Sequence, residues 1–411
     1  MDITKKLKAS SLSSATPMPQ FFDLSNKKDV HLLDKLLTEK PNTRIINTYD
    51  DQLKEWFVLQ NPSLYQDKLK RDKEFNKFCR QYYAGKLEHE VGLWVYLPWR
   101  DTLLHLLEDD KFHEVRTGRN RNLITPDEQK KYYNSVIGIA GQSVGNSCTL
   151  AIVLTGGGKH MRLADPDTLE LTNLNRIRGS IAEITNLKVN MTAHQIYELD
   201  PYAKLELFSD GITEENIEAF FDGPPKLDIV IDEMDNLGLK IRLRQEAKKR
   251  KIPVLMAADN GDSAILDVER HDLEDDIAPF HGRAGEDIAE QVLNKNLPLP
   301  AMARIIGDKI IGFDVHEQRL IESLLAIGDS IPTWPQLGTA ATLNGVLVAV
   351  AVRKILNHQP LINNRAIVSM PNFLEPNYND PEETQKRQQK LQELGQEFID
   401  RIEKLADKNP D

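Results

Sequence analysis

Residues 135–157 read SVIGIAGQSVGNSCTLAIVLTGG. The first seven are short, apolar and partly β-branched, the composition of a strand buried on both faces. Gly141, Ser143 and Gly145 then mark a tight turn, and the apolar run behind them stops at a glycine triplet, as a helix would. Small residues in a strand-to-helix turn let backbone approach a phosphate, and the helix N-terminus favours an anion. The turn is not a clean G-x-G-x-x-G, because Ser143 and Asn146 stand where the second and third glycines belong. It equally suits plain close packing of strand on helix. No Gly-Lys-Ser/Thr follows, so a P-loop is not supported.

Downstream the same alternation continues. HMRLAD, KLELFSD, LDIVID and PVLMAAD read as strands, separated by helical patterns such as KVNMTAHQIYEL and LGLKIRLRQEAKKRK. Strands alternating with helices of about 10–15 residues predict an α/β fold, a doubly wound, Rossmann-like, mainly parallel sheet. Ligands in such sheets sit at the carboxyl ends of the strands. Beyond the second strand lies DPDTLELTNLNRIRG, which crowds Asp165, Asp167, Asn173, Asn175, Arg176 and Arg178 together. Asp165, 24 residues after Gly141, stands where a ribose-binding acid is expected. Two acids, two amides and two guanidiniums at one strand end suit a ribose and polyphosphate. Lys188 opens the next helix. The fourth strand ends in Asp232, Glu233, Asp235 and Asn236; carboxylates there suit Mg²⁺, although Asp235 could instead cap the helix that follows. A dinucleotide-binding oxidoreductase using Asp165, or an ATP-binding scaffold without catalysis, would share parts of this pattern.

Taken in order, GQSVG, DPD, NLNR, Lys188 and DEMDN resemble the ThiF/MoeB family, the adenylating fold of ubiquitin-activating enzymes, and in particular its bacterial ThiF-like members with a long N-terminal extension. The resemblance implies ATP and Mg²⁺ as cofactors, with Asp167 on the ribose, Asn173, Arg176 and Lys188 on the phosphates and Asp235 working with the metal. It implies a homodimer in which an arginine of the partner copy reaches the γ-phosphate; Arg119 or Arg121 fits, Arg121 preferred. The activity implied is adenylation of a carboxylate, whether of a ubiquitin-like protein, a peptide or a small acid, with release of pyrophosphate. Departures are the serine in the glycine turn, the missing Cys-x-x-Cys pairs, so that no zinc is expected, and the lack of a downstream cysteine nucleophile.

The chain has 411 residues, 28% charged and 40% hydrophobic, with a net charge of -11 and two cysteines, Cys79 and Cys148. This is a globular profile with no need of disulfide or metal staples. The acidic balance argues against nucleic acid as partner, and the cluster Lys248, Lys249, Arg250, Lys251 suits a helix C-terminus. No secretory signal is evident, and the uncharged stretches carry too many Gly, Pro, Asn and Gln residues for membrane spans, so a cytoplasmic location and no membrane partner are expected. Three segments follow: an extension over 1–115, loose in its first 20 residues and with a helix in QLKEWFVLQ and a strand in VGLWVYLPW; an ATP-binding domain over 116–375, irregular at 271–335, where His281 and Arg283 face the substrate side; and a charged helical tail over 376–411 whose Leu391, Leu394, Phe398, Ile402 and Leu405 form an apolar stripe that docks on the body or on a second copy.

Overall fold

The computed structural model describes residues 18–283, 285, 287–294, 302 and 304–408; most of the first 20 residues therefore lie outside it. Two compact units emerge. One comprises the described residues up to Lys130 together with Ala193–Ala203, the other Lys131–Thr192 and the chain from Lys204 onward.

The first unit holds β1 (Gln20–Phe22), α1 (Lys27–Glu39), β2 (Arg44–Asn47), α2 (Tyr49–Gln60), α3 (Lys68–Tyr83), β3 (Leu93–Leu97), β4 (Thr102–Leu106) and α4 (Asp109–Arg116). Its mixed sheet has the order β1-β3-β4-β2, with only β2 and β4 parallel. β3 ends where Pro98 removes a backbone donor. His105 of β4 is buried between the rings of Tyr49 and Trp94, 4.4 Å from each. Its ring nitrogens meet Asn47 Oδ1 at 2.9 Å and the Val91 carbonyl at 2.7 Å, and burial lowers its pKa. It is a satisfied core histidine.

After α5 (Pro126–Asn134) the chain runs β5 (Val136–Ala140), α6 (Val144–Leu154), β6 (His160–Ala164), α7 (Lys188–Leu199, of the first unit from Ala193 on), β7 (Lys204–Phe208), α8 (Ile217–Asp222), β8 (Ile229–Asp232), α9 (Leu237–Arg250), β9 (Val254–Asn260) and β10 (Ser263–Glu269). Then come α10 (Ile288–Asn294), α11 (Gln318–Leu325), α12 (Gly338–Leu356), β11 (Arg365–Val368), α13 (Met370–Leu374) and α14 (Pro381–Lys408). The sheet order is β11-β10-β9-β8-β5-β6-β7, parallel from β9 to β7. β5 and β8 are buried at every residue, as central parallel strands require.

β10 was not legible as a strand. It pairs antiparallel with β9 across a two-residue turn of Gly261 and Asp262, Gly261 taking φ +64°, and β11 adds antiparallel beyond it. The expected irregular segment 271–335 carries α10, α11 and a π-helical stretch over Ile305–Ile311. α12 is the one helix among the described residues long and apolar enough to cross a membrane; 56% of that window is buried. It packs on α6, β9 and β10. Closeness comes from Gly345, where a Cβ would stand 2.6 Å from the Ser147 carbonyl oxygen. On α14, Leu391 and Leu394 bury against Ile321, and Phe398 and Ile402 against Leu324; the side chain of Leu405 lies outside the described residues.

The basic end of α9 is neutralised locally. Lys249 meets Glu246 at 2.7 Å, Lys251 meets Asp275 at 2.8 Å, Lys248 meets Asp276 at 3.7 Å, and Arg250 pairs with Asp222 and Glu246.

Candidate functional site

The chain leaves β5 toward β6 on one side and reaches β8 on the other, so the strand order reverses beside β5. A crevice at such a switch point, beyond the carboxyl ends, is where open α/β sheets bind ligands. Gly141, the first residue past β5, takes φ +93°, and its N–H donates to the Ala164 carbonyl at 2.7 Å. A Cβ there would lie 2.3 Å from the Glu233 carbonyl oxygen, so β8's exit passes directly over the turn. Gly141→Ala therefore combines left-handed strain with a backbone clash, and should lower unfolding free energy by about 3 kcal/mol; urea denaturation at constant m-value checks this.

Ser143 precedes α6 and makes no side-chain capping bond to it. Its Oγ accepts instead from Arg176 Nε at 3.2 Å. The α6 N-terminus thus keeps its leading N–H groups clear of a side-chain cap, with a guanidinium next to them. Arg176 is further fixed by Asn175 Oδ1 at 3.0 Å and the Thr172 carbonyl at 3.4 Å. Burial lowers its pKa, opposed by Asp259 and Asp235, both within electrostatic reach.

The two acids after β6 differ in environment. Asp165 is buried, and its oxygens accept the backbone N–H groups of Gln142 at 2.6 Å and Asp167 at 2.8 Å. Burial raises its pKa. It ties the β5 turn to the β6 turn. Asp167, its side chain 65% exposed, faces outward and is held by Lys188 Nζ at 2.7 Å. That ammonium lies 3.9 Å from Asp165 as well. Asn173 spends its Oδ1 on the Glu170 N–H at 3.0 Å, within the short turn over Leu171–Asn175. Asn175 donates to the Gln336 carbonyl at 2.8 Å.

At the end of β8 the four polar residues separate. Asp232 is wholly buried and paired with Arg244 and, at 3.4 Å, with Lys240, which removes it from metal or phosphate work. Asn236 is the residue that caps α9, accepting from Leu239 N at 3.0 Å. Asp235 is thereby released from the capping role and is exposed. A single exposed carboxylate suits Mg²⁺ that keeps waters and shares phosphate oxygens, whereas no cluster of three or more His, Cys, Asp or Glu ligands exists among the described residues.

Arg176, Ser143, Gly141, Asp165, Asp167, Lys188 and Asp235 are therefore drawn to one end of the sheet. Arg121 belongs to the other unit, where it pairs with Glu114 at 2.5 Å and donates to the Leu59 carbonyl at 3.1 Å; neighbouring Arg119 is exposed. His281 and Arg283 are structural: the ring meets the Val268 carbonyl at 2.8 Å, and the guanidinium pairs with Asp267 at 3.0 Å. Cys148 is fully buried, with its thiol pushed up by burial, unlike a nucleophile. Sequence reading passed over Asp259, at the end of β9, and its partners Gln336 and Asn344. A carboxylate closing PVLMAAD and an asparagine inside an apolar helix were the available signals.

An uncharacterized protein of Mycobacterium tuberculosis is 35% identical over 286 residues, covering 69% of this chain and 39% of that protein. The molybdopterin-synthase adenylyltransferase of Haemophilus influenzae is 27% identical over 154 residues, 36% of this chain and 61% of the enzyme. The chain thus spans less than two thirds of either relative. The crystal structure of E. coli tRNA N6-threonylcarbamoyladenosine dehydratase aligns with a TM-score of 0.41 at 18% identity, covering 60% of this chain and 95% of that one. Residues 117–392 match the ThiF family, and the chain belongs to that family.

Proposed function

We propose that this chain binds ATP at the β5–β8 switch point and adenylates a carboxylate, releasing pyrophosphate. The observation that supports it most is the convergence of a guanidinium, an ammonium and an exposed carboxylate beside the uncapped N-terminus of α6. Carboxylate attack on an α-phosphate needs alignment and charge neutralisation more than proton transfer, since the nucleophile is already ionised at neutral pH. In this reading Asp167 holds the ribose, with Asp165 locking the two turns that frame it. Arg176 and Lys188 grip the phosphates, with Asn173 and Asn175 bracing the segment that carries Arg176. Asp235 is the residue to hold Mg²⁺, which would neutralise phosphate charge when bound. A homodimer completes the site with Arg119 or Arg121 of the second copy. Arg119, outside the Glu114 pair, needs no bond broken to serve. The substrate class spans ubiquitin-like proteins, peptides and small acids, and free cysteines with ATP use fit a cytoplasmic setting.

The test is incubation of the full chain with Mg·ATP and size-fractionated cell extract, read by ATP–pyrophosphate exchange and by mass spectrometry for new acyl-AMP. Lys188→Ala should cut exchange by about 100-fold. Exchange absent in every fraction, or untouched by that substitution, would rule the reading out.

A further inference from the structure

The carboxyl end of β9 carries polar chemistry that a triphosphate cannot use. Asn344, wholly buried within α12, donates Nδ2–H to Asp259 Oδ1 at 2.7 Å. Gln336 donates Nε2–H to Asp259 Oδ2 at 3.2 Å, while its backbone carbonyl accepts from Asn175. The group is therefore joined to the segment bearing Arg176, which feels the Asp259 charge. Burial raises the Asp259 carboxyl to about 6, so it is mostly ionised at neutral pH. The other amide atom of Asn344, Oδ1, is buried without a partner.

The two oxygens of the partly exposed Asp259 carboxylate offer several acceptor positions, of which only two are filled, whereas the lone Asn344 Oδ1 is sealed inside the protein. A carboxylate only partly open to water still gains from a further donor, and an anion beside a polyphosphate repels it. Phosphates supply acceptors only. The ribose hydroxyls of ATP belong with Asp167 at the end of β6, three strands away in the order β9-β8-β5-β6 and so roughly 14 Å distant at about 4.8 Å per strand. What completes the cluster is a hydrogen-bond donor from the other substrate. Arg176 beside Asp259 offers opposite charges side by side, the complement of a carboxylate and an N–H carried on one carbon.

We infer that Asp259, oriented by Asn344 and Gln336, forms an acceptor subsite for the acyl substrate, taking an N–H on the carbon next to the carboxylate: the last amide of a peptide chain or the ammonium of a free amino acid. This rests on the adenylation reading. The test is calorimetric titration of the full chain with ATP and with three non-hydrolysable adenylate mimics, glycyl-, N-acetylglycyl- and propionyl-sulfamoyladenosine. At least one N–H-bearing mimic should bind about tenfold or more tighter than the propionyl one, the gain expected from a hydrogen bond to a partly buried carboxylate. Preference for the acetylglycyl mimic identifies a peptide source, preference for the glycyl mimic an amino acid. In Asp259→Asn the preference should shrink to within about twofold while ATP binds at least as tightly, a negative charge beside the triphosphate being gone. Equal binding of all three mimics to the unmodified chain, with ATP binding intact, overturns the subsite alone, as does a preference that survives Asp259→Asn. Absence of ATP binding overturns both readings.

Discussion

Arg244→Met is expected to lower the free energy of unfolding by about 4–5 kcal/mol at pH 7.5, the cost of leaving buried carboxylates without their cation. Arg244 is buried in α9 with its guanidinium over the Phe280 ring, 4.0 Å from the centroid. It pairs with Asp232 at the end of β8 and, at 3.0 Å, with Glu269 at the end of β10. Both carboxylates are wholly buried, so methionine would fill the volume and leave Asp232 with Lys240 alone, at 3.4 Å, and Glu269 with His271 alone, at 3.4 Å. Burial alone would raise the Glu269 pKa, but Arg244 and then His271 hold it down at about 2. A folded pKa below the unfolded value of 4.5 contributes stability that is present above pH 4.5 and lost as pH falls toward 2. In the variant that contribution vanishes and the stranded acids favour protonation. The gap between unmodified chain and variant should therefore be widest above pH 5 and narrow by pH 4. Urea denaturation at pH 7.5 and pH 4 measures it; a gap under about 1 kcal/mol, or one independent of pH, contradicts the account. The loss should extend to nucleotide binding, because Asp232 anchors the strand end from which Asp235 projects.

The same network explains why the sequence was informative in some places and silent in others. The parallel core was legible because buried parallel strands are continuous apolar runs and the crossover helices between them keep helical length. β10 was missed because its antiparallel turn is only Gly261 and Asp262, too small to stand out beside 271–335. Arg176 and Asp235 stood out because each lies in a short polar motif past a parallel strand, and Lys188 because it opens the next helix. Asp232 also looked available in DEMDN, though less so than Asp235. Its withdrawal into the core depends on Arg244, twelve residues on, and Glu269, beyond two further strands, and no local pattern reports such a partner. Asp259 and Asn344 are 85 residues apart, and only the packing of α12 on β9 brings them together. Asp165 illustrates a third case: its position was read correctly as a strand end, but two backbone N–H groups occupy it, which spacing alone does not reveal.

Arg176→Ala should weaken Mg·ATP binding about 100-fold, near the upper end of what a charged hydrogen-bonding group contributes. The side chain is already held in one orientation. Nε is fixed on Ser143 Oγ and Nη1 on Asn175 Oδ1, so little rotamer entropy remains to be lost when the anion arrives. Arg176→Lys should recover only about tenfold of that loss, since a point charge cannot span Ser143, Asn175 and a phosphate as a planar fork does. Lys188→Ala should weaken ground-state binding less, because its ammonium must share itself with Asp167 at 2.7 Å and Asp165 at 3.9 Å. Double substitution separates geometry from simple charge loss. If both cations grip one triphosphate, their combined effect should fall short of the sum, as expected for residues sharing a ligand. Calorimetry at fixed ionic strength gives all four affinities. An Arg176→Ala affinity within about threefold of the unmodified chain would mean that the phosphates lie away from the α6 N-terminus, and that the cluster beyond β6 and β8 serves the fold alone.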